Sequence, residues 1–279
     1  MQPEATLAGV RIGGEQPVRL MAAINVSPDS FYPGSVHADA AALRDAAQRA
    51  VQDGADLIDL GARSTAPYRR ADVPLGEELK ALTWAVEVVT GAVGVPVSAD
   101  TARAAVALAG LAAGARIVND VSGLRGDPGM AKAAAASAGV ILVAGPDGGP
   151  DGPPLQLVRR SLRDSLARAA AAGIDRSAIA IDPGIGFFAA SATRPTRFNL
   201  GVLAKLDELL DLGRPLLVGA SRKRFIGELT GRVDPADRLA GSLAAATAAV
   251  LHGAAVIRTH DVAATRDAVR IAEAVRSSR

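Results

Sequence analysis

The sequence predicts an α/β chain folded as one (β/α)8 barrel, the TIM-barrel architecture, with residues 1–279 forming a single domain. Three observations point there. Short β-type apolar runs alternate with longer Ala/Leu/Arg-rich segments of helical periodicity from end to end. No low-complexity linker divides them, and about eight βα units fit a length typical of such barrels, roughly 250 residues. Polar residues gather where the strands end, which is the face on which barrels of this kind carry their active sites.

Taken in order, the candidate strands are Arg19–Asn25, Leu57–Gly61, Pro96–Asp100, Ile117–Asp120, Val140–Val143, Ile179–Asp182, Leu216–Gly219 and Val256–Thr259. The helical segments between and after them are Ala38–Asp53, Leu75–Thr90, Ala102–Ala113, Pro128–Ala138, Pro154–Ala172, Asn199–Leu212, Asp237–Leu251 and Ala263–Arg276. Gly54, Gly114, Gly139, Gly173, Gly213 and Gly253 follow these helices closely. A left-handed cap suits a residue without Cβ, so each is expected to close its helix in that conformation.

Composition narrows the function classes. Hydrophobic residues make up 49% and charged ones 22%, which suits a globular core and argues against disorder. The net charge is only +2, and apart from Arg222–Arg224 the basic residues do not cluster, so a nucleic-acid partner is not expected. With no cysteine there is neither a disulfide framework nor a thiolate zinc site. Met1–Gly14 lacks a signal-peptide pattern, and no run reaches a membrane-spanning length of roughly 18 apolar residues, so a cytoplasmic protein is the expectation.

The strand exits read Asn25, Asp59, Asp100, Asn119 with Asp120, Asp182, Ser221 with Lys223, and Arg258 with His260. Asp100 and Asp182 each follow an apolar strand, so both are placed at the mouth with little solvent. Either acid alone could be a helix cap. With Asn119 they offer acceptors and an amide edge suited to a flat heterocycle that displays N–H donors beside a carbonyl. Lys223, Arg258 and His260 are their cationic counterpart, and Arg258 and His260 share one side of an extended segment. An Arg, a His and the chain turning into a helix after Ser221 resemble an anion clamp at the position where barrels commonly bind phosphate. The connections after the first two strands, Asn25–Ser35 and Ala62–Arg70, mix turn formers with polar and aromatic groups, as loops that cover a site do. Three scattered His make a zinc cage improbable. Asn25 and Asp29 could help hold a Mg2+ brought by a phosphorylated substrate.

Eight blocks occur in an order that resembles the dihydropteroate synthase family over nearly the whole chain. They are Asn25-Val-Ser-Pro-Asp-Ser-Phe31, Gly54-Ala-Asp-Leu-Ile-Asp59, Ser64-Thr65, Asp100-Thr101, Asn119-Asp-Val-Ser-Gly123, Asp182-Pro-Gly-Ile-Gly-Phe187, Gly219-Ala-Ser-Arg-Lys-Arg-Phe-Ile-Gly227 and Arg258-Thr-His-Asp261. The resemblance implies a transferase in which an arylamine displaces pyrophosphate from a 6-hydroxymethyl-7,8-dihydropterin diphosphate. It also implies roles. Asp100, Asn119, Asp182, Phe187 and Lys223 would form the pterin pocket, and Asn25, Arg258 and His260 would bind the diphosphate with Mg2+, Asn25 touching the metal. Thr65 and Ser221 would lie near the amine. Asp100, Lys223 and Asn25 would carry the catalysis, which needs no protein nucleophile.

Departures from the family pattern fall mainly on the amine side. Phe31-Tyr-Pro-Gly-Ser35 lacks the usual acid, Ala66 stands where the family places an Arg, Phe188-Ala189 replaces a Gly-Lys, and the fifth strand lacks a His-Met pair. The two loop sequences are similar to a branch that makes tetrahydromethanopterin, whose amine is a ribofuranosylaminobenzene phosphate. On that reading Arg63, Arg69 or Arg70 would serve the extra phosphate. The alternative from another class is a non-catalytic or methyltransferase-type pterin-binding protein. A homodimer is the expected assembly, with the apolar segment Leu239–Leu251 suited to its face.

Overall fold

In the computed structural model, residues 2–26, 39–63, 73–147, 152–190 and 194–278 are described. Eight parallel strands close into a barrel in the order β10-β3-β4-β5-β6-β7-β8-β9. They are β3 (Arg19–Asn25), β4 (Leu57–Gly61), β5 (Val97–Asp100), β6 (Ile117–Asp120), β7 (Val140–Val143), β8 (Ile179–Asp182), β9 (Leu216–Val218) and β10 (Ala254–Thr259). Around them run α1 (Ala40–Gln52), α2 (Leu75–Thr90), α3 (Ala104–Ala112), α4 (Met130–Ala134), α5 (Pro154–Ala171), α6 (Pro195–Leu203), α7 (Arg224–Thr230), α8 (Leu239–Leu251) and α9 (Val262–Ser277). The (β/α)8 barrel read from the alternating pattern is therefore the fold.

Two apolar clusters follow from the strand period of two. Ile58, Leu60, Val97, Ala99, Val118, Leu142 and Ile181 point outward and pack under the helices. Met21, Leu57, Ile117, Ile141, Ala180, Leu217 and Val256 point inward and fill the barrel floor. A hairpin that the sequence reading did not assign, β1 (Glu4–Leu7) and β2 (Val10–Gly13), contributes Ala5, Leu7 and Ile12 to the same inner cluster. Its turn, Ala8–Gly9, has φ of 49° and 93°, the doubly left-handed geometry that matches strand twist. Burying Leu7 and Ile12 completely is worth about 1.5–3 kcal/mol each, enough to hold a short hairpin in place.

The hairpin also explains an exception among the glycines. Gly54, Gly114, Gly173, Gly213 and Gly253 have positive φ, as expected of left-handed helix ends. Gly139 does not. A Cβ there would lie 3.1 Å from Leu7 Cα, so this glycine serves the close approach of the hairpin.

Helix ends are shorter than the periodicity suggests where backbone groups find other partners. Ala138 N–H donates to Arg116 O at 2.8 Å, which ends α4 early. Asp127 accepts from Ala104 N–H at 2.8 Å and so starts α3 two residues late. The segment expected as one helix over Asn199–Leu212 divides into α6 and a 3-10 turn, Leu206–Leu212, whose threefold spacing buries Leu206 and Leu209 on one face.

Candidate active site

One inward step above the apolar floor, the same strand faces turn polar. Continuing the alternation, Met21 leads to Asn25, Leu57 to Asp59 and Gly61, Ile117 to Asn119, Ala180 to Asp182, and Val256 to Arg258. On β5, Ser98 and Asp100 take the inward positions between outward Val97 and Ala99. The site is thus the polar upper layer of the barrel interior. Its side chains are set by strand register: Asp59 pairs with Ser98, Gly61 with Asp100, and Asp100 with Asn119.

Arg258 crosses this layer. Its Nε donates to Asp59 Oδ2 at 2.6 Å and its Nη2 to Asp100 Oδ2 at 3.0 Å. Asn119 Nδ2 donates to the same Asp59 oxygen at 3.0 Å. Burial works against the Arg258 charge, but Asp59, Asp100 and Asp182 outweigh it and hold the guanidinium above its ordinary value. Asp100 is raised to about 7, chiefly by burial and then by the charge of Asp59, with Arg258 opposing. The second oxygens of Asp59 and Asp100 and the Oδ1 of Asn119 are buried with no hydrogen-bond partner. Asn25 Oδ1 and Asp100 Oδ2 both lie against the inward face of Gly61, at 3.5 and 3.6 Å from where a Cβ would sit.

Opposite this cluster, Lys223 reaches across to Asp182. Its Nζ donates to Ile185 O and lies 4.7 Å from the centre of the Phe187 ring. Burial lowers Lys223 to about 8, with Asp182 pulling the other way. Asp182 is raised by burial, against Lys223 and the N–H of Gly184, which donates to it at 2.7 Å. Gly184 has a φ of 69°, and a Cβ there would sit 2.0 Å from Ala144 O, so the Asp-Pro-Gly turn that aims Asp182 tolerates no side chain. Behind it, Phe188 stacks on Phe198 at 4.7 Å and Asn199 accepts from Gly186 N–H at 2.9 Å.

Ser221 and His260 meet on the β9–β10 side, Ser221 Oγ to His260 Nδ1 at 3.0 Å. His260 is lowered to about 3 by burial first and then by Arg258, Arg222 and Lys223. This corrects the sequence reading of His260 as a cation: burial first, and then three neighbouring positive charges, keep its ring neutral. The helix after Ser221 is α7, which begins only at Arg224 with Lys223 at its cap.

Between Ser221 and Lys223, buried Arg222 adopts a φ of 59°. Its guanidinium pairs with Asp261 at 2.5 and 2.8 Å and donates to Pro235 O and Ala236 O at 2.9 and 2.8 Å. Its own N–H donates to Ser242 Oγ at 2.8 Å. The pair ties the exit of β9 to that of β10.

The structure thus brings Asn25, Asp100, Asn119, Asp182, Phe187, Ser221, Lys223, Arg258 and His260 to one end of the barrel. Arg63 lies half-buried just past β4. Thr65, Arg69, Arg70 and Asp29 lie outside the described residues. Asp120, named with Asn119 at the exit of β6, points away from the site. It accepts from Ser122 and Leu124 N–H, both at 2.7 Å, and shapes the following turn. Asp59, a strand-exit acid in the sequence, is an interior side chain, as its place between inward Leu57 and Gly61 requires.

A barrel whose inner mouth sets buried acceptors against a lysine over an aromatic ring defines a binder of flat, donor-rich heterocycles, and the family of description "Pterin binding enzyme" matches residues 21–260. Dihydropteroate synthase of Escherichia coli (strain K12) is 36% identical over 271 residues, covering 93% of this chain and 92% of that protein. The solved structure of Xanthomonas albilineans dihydropteroate synthase with 4-aminobenzoic acid is 40% identical, covers 99% of each chain and has a TM-score of 0.86. The same enzyme in complex with 7,8-dihydropteroate is 39% identical over 99% of each chain, with a TM-score of 0.84. The chain belongs to the dihydropteroate synthase family of pterin-binding enzymes.

Proposed function

We propose that the chain condenses 6-hydroxymethyl-7,8-dihydropterin diphosphate with 4-aminobenzoate to give 7,8-dihydropteroate and pyrophosphate. The observation that carries this reading is the pair of buried, unpartnered acceptors on Asp100 and Asn119 facing the Lys223–Asp182 side of a closed barrel mouth. A ring edge of N–H donors would supply the missing partners, and the ring would lie beside Phe187. The amine nitrogen attacks the methylene carbon as the C–O bond to the diphosphate breaks, the leaving group takes the electron pair, and the amine gives up a proton. Positive charge developing at the methylene would be stabilised by the carboxylates of Asp100 and Asp182, and Arg258 with neutral His260 would receive the departing pyrophosphate.

Mg2+ enters this reading with the diphosphate. Among the described residues no group of three or more His, Cys, Asp or Glu side chains converges on a metal position. Asn25 offers one neutral oxygen beside Asp100, which suits an ion that keeps mostly water and phosphate ligands. Thr65 and Ser221 would border the amine. A second copy of the chain is the proposed partner. It would sit on the groove between α6, α7 and α8 lined by Leu200, Leu203, Phe225, Ile226 and Leu229, where Leu229 is 55% exposed.

The test is product formation by the purified chain from the pterin diphosphate with each of two amines, 4-aminobenzoate and ribofuranosylaminobenzene phosphate. A strong preference for 4-aminobenzoate is expected. Preference for the phosphorylated amine would move the chain to the tetrahydromethanopterin branch and give Arg63, Arg69 or Arg70 the role of binding its phosphate. Pterin binding without product would leave a non-catalytic binder.

A further inference from the structure

We infer that Asp59 is a positioning residue that fixes the hydrogen-bond polarity of the pterin pocket. The inference rests on the pterin reading of that pocket. Asp59 is completely buried on β4, level with Ser98 and one inward step deeper than Asp100, so it acts through its neighbours. A carboxylate only accepts. Its Oδ2 receives both Asn119 Nδ2 at 3.0 Å and Arg258 Nε at 2.6 Å.

The consequence for Asn119 is a choice of edge. An asparagine amide can turn and offer either its oxygen or its NH2 group. With the NH2 committed to Asp59, the Oδ1, buried and without a hydrogen-bond partner, is the atom left for a ligand. For Arg258, holding Nε on Asp59 places Nη2 on Asp100 at 3.0 Å. Asp59 therefore makes the Asn119 position an obligate acceptor and keeps the guanidinium off it. A heterocycle with N–H at that point gains a bond there, and an isostere with a ring acceptor meets two lone pairs face to face.

The test compares Asp59→Leu, which cannot accept, with Asp59→Asn, which keeps one oxygen for the two donors. Calorimetric titration of the full chain with 6-hydroxymethylpterin should show a loss of about 30–100-fold for Asp59→Leu and less than about 10-fold for Asp59→Asn. In steady-state assays the pterin KM should follow these losses while the amine KM moves less than about twofold. Asp59→Leu binding within about threefold of wild type, or Asp59→Asn as damaging as Asp59→Leu, would overturn the inference. If the wild type itself does not bind the pterin, the reading of the pocket falls instead. Should Asp59→Leu not fold, side-chain amide NMR of the wild type decides. The Asn119 NH2 protons should stay protected from exchange while its carbonyl carbon shifts on pterin addition, and loss of that protection would overturn the inference.

Discussion

Replacing Asp100 with Asn converts a buried titrating group into a neutral one, and its effect on stability against pH follows from the site. Asp100 is raised from 3.8 to about 7, chiefly by burial and then by Asp59. Because its pKa is raised on folding, the folded state holds this proton more tightly than the unfolded chain. The stabilisation is therefore complete below about 4 and is lost as pH rises to about 7. Each pH unit inside that window costs about 1.4 kcal/mol. Between pH 5 and pH 8 two units of the window are crossed, so the wild type should lose about 2.7 kcal/mol relative to the Asp100→Asn variant. Asp182 and His260 titrate in both proteins and largely cancel in the difference. The measurement is urea unfolding of both proteins at pH 5, 6, 7 and 8 in the same salt. A difference constant to within about 0.5 kcal/mol, or one of opposite slope, would refute the reasoning. It would mean that the ion pair with Arg258 wins over burial and keeps the carboxylate ionised throughout.

The remaining predictions concern neighbouring parts of the same end of the barrel. With Asp100 at about 7 and Lys223 at about 8, kcat/KM should be bell-shaped with limbs that belong to this interacting set, and Lys223→Met should remove the alkaline limb. Gly184→Ala, with its Cβ 2.0 Å from Ala144 O and φ of 69°, should destabilise by at least about 2 kcal/mol in thermal unfolding and weaken pterin binding measured by calorimetry. Arg222→Ala leaves Asp261 and two carbonyls without their donor and should cost about 3–5 kcal/mol, whereas Arg222→Gly should recover about 1 kcal/mol of that in urea titrations because the φ of 59° no longer carries a penalty. If a second copy pairs on the α6–α8 groove as proposed, the chain should sediment as a dimer and Leu229→Asp as a monomer with an unchanged circular dichroism spectrum; a wild type that sediments as a monomer would refute the pairing.

Much of the fold was legible because it rests on local periodicity. Seven of the eight strands keep the C-terminal residue read from the sequence, since an apolar run in a parallel barrel stops where its inward face turns polar. The hairpin was not legible: Leu7 and Ile12 are single apolar residues among polar ones, and only the floor of a closed barrel makes them core. Gly139 was misread for the same reason, because its neighbour is distant in sequence. In the site, residue types and strand exits located Asp100, Asn119, Asp182, Lys223 and Arg258. Charge states were not readable from type. His260 is neutral because it is buried and three cations lie nearby, and Asp120 is a turn acid because a shift of one residue along β6 points it outward.

What the interior arrangement adds is a coupling between the two ends of the substrate. Among the described residues Arg258 is the cation bonded to both Asp59 and Asp100, and with His260 it is the group proposed to receive the diphosphate. A pterin edge that donates to the free Oδ1 of Asp100 adds a second donor to that carboxylate and so weakens its hold on Nη2 at Oδ2, while Nε can remain on Asp59, which accepts it from below. The guanidinium is then held firmly at one nitrogen and more loosely at the other, which eases its turn toward the mouth when a diphosphate attached to that pterin arrives. The burial that raises Asp100 makes this exchange sensitive to what replaces Arg258, since a carboxylate at about 7 is poised between keeping its charge and taking a proton. A ligand that brings only the pterin loosens Arg258 from Asp100 without giving it a new anion; one that brings both satisfies each group. The diphosphate should thus strengthen binding at the pterin end through Arg258, and Asp59, which holds the pivot, is where that coupling is set.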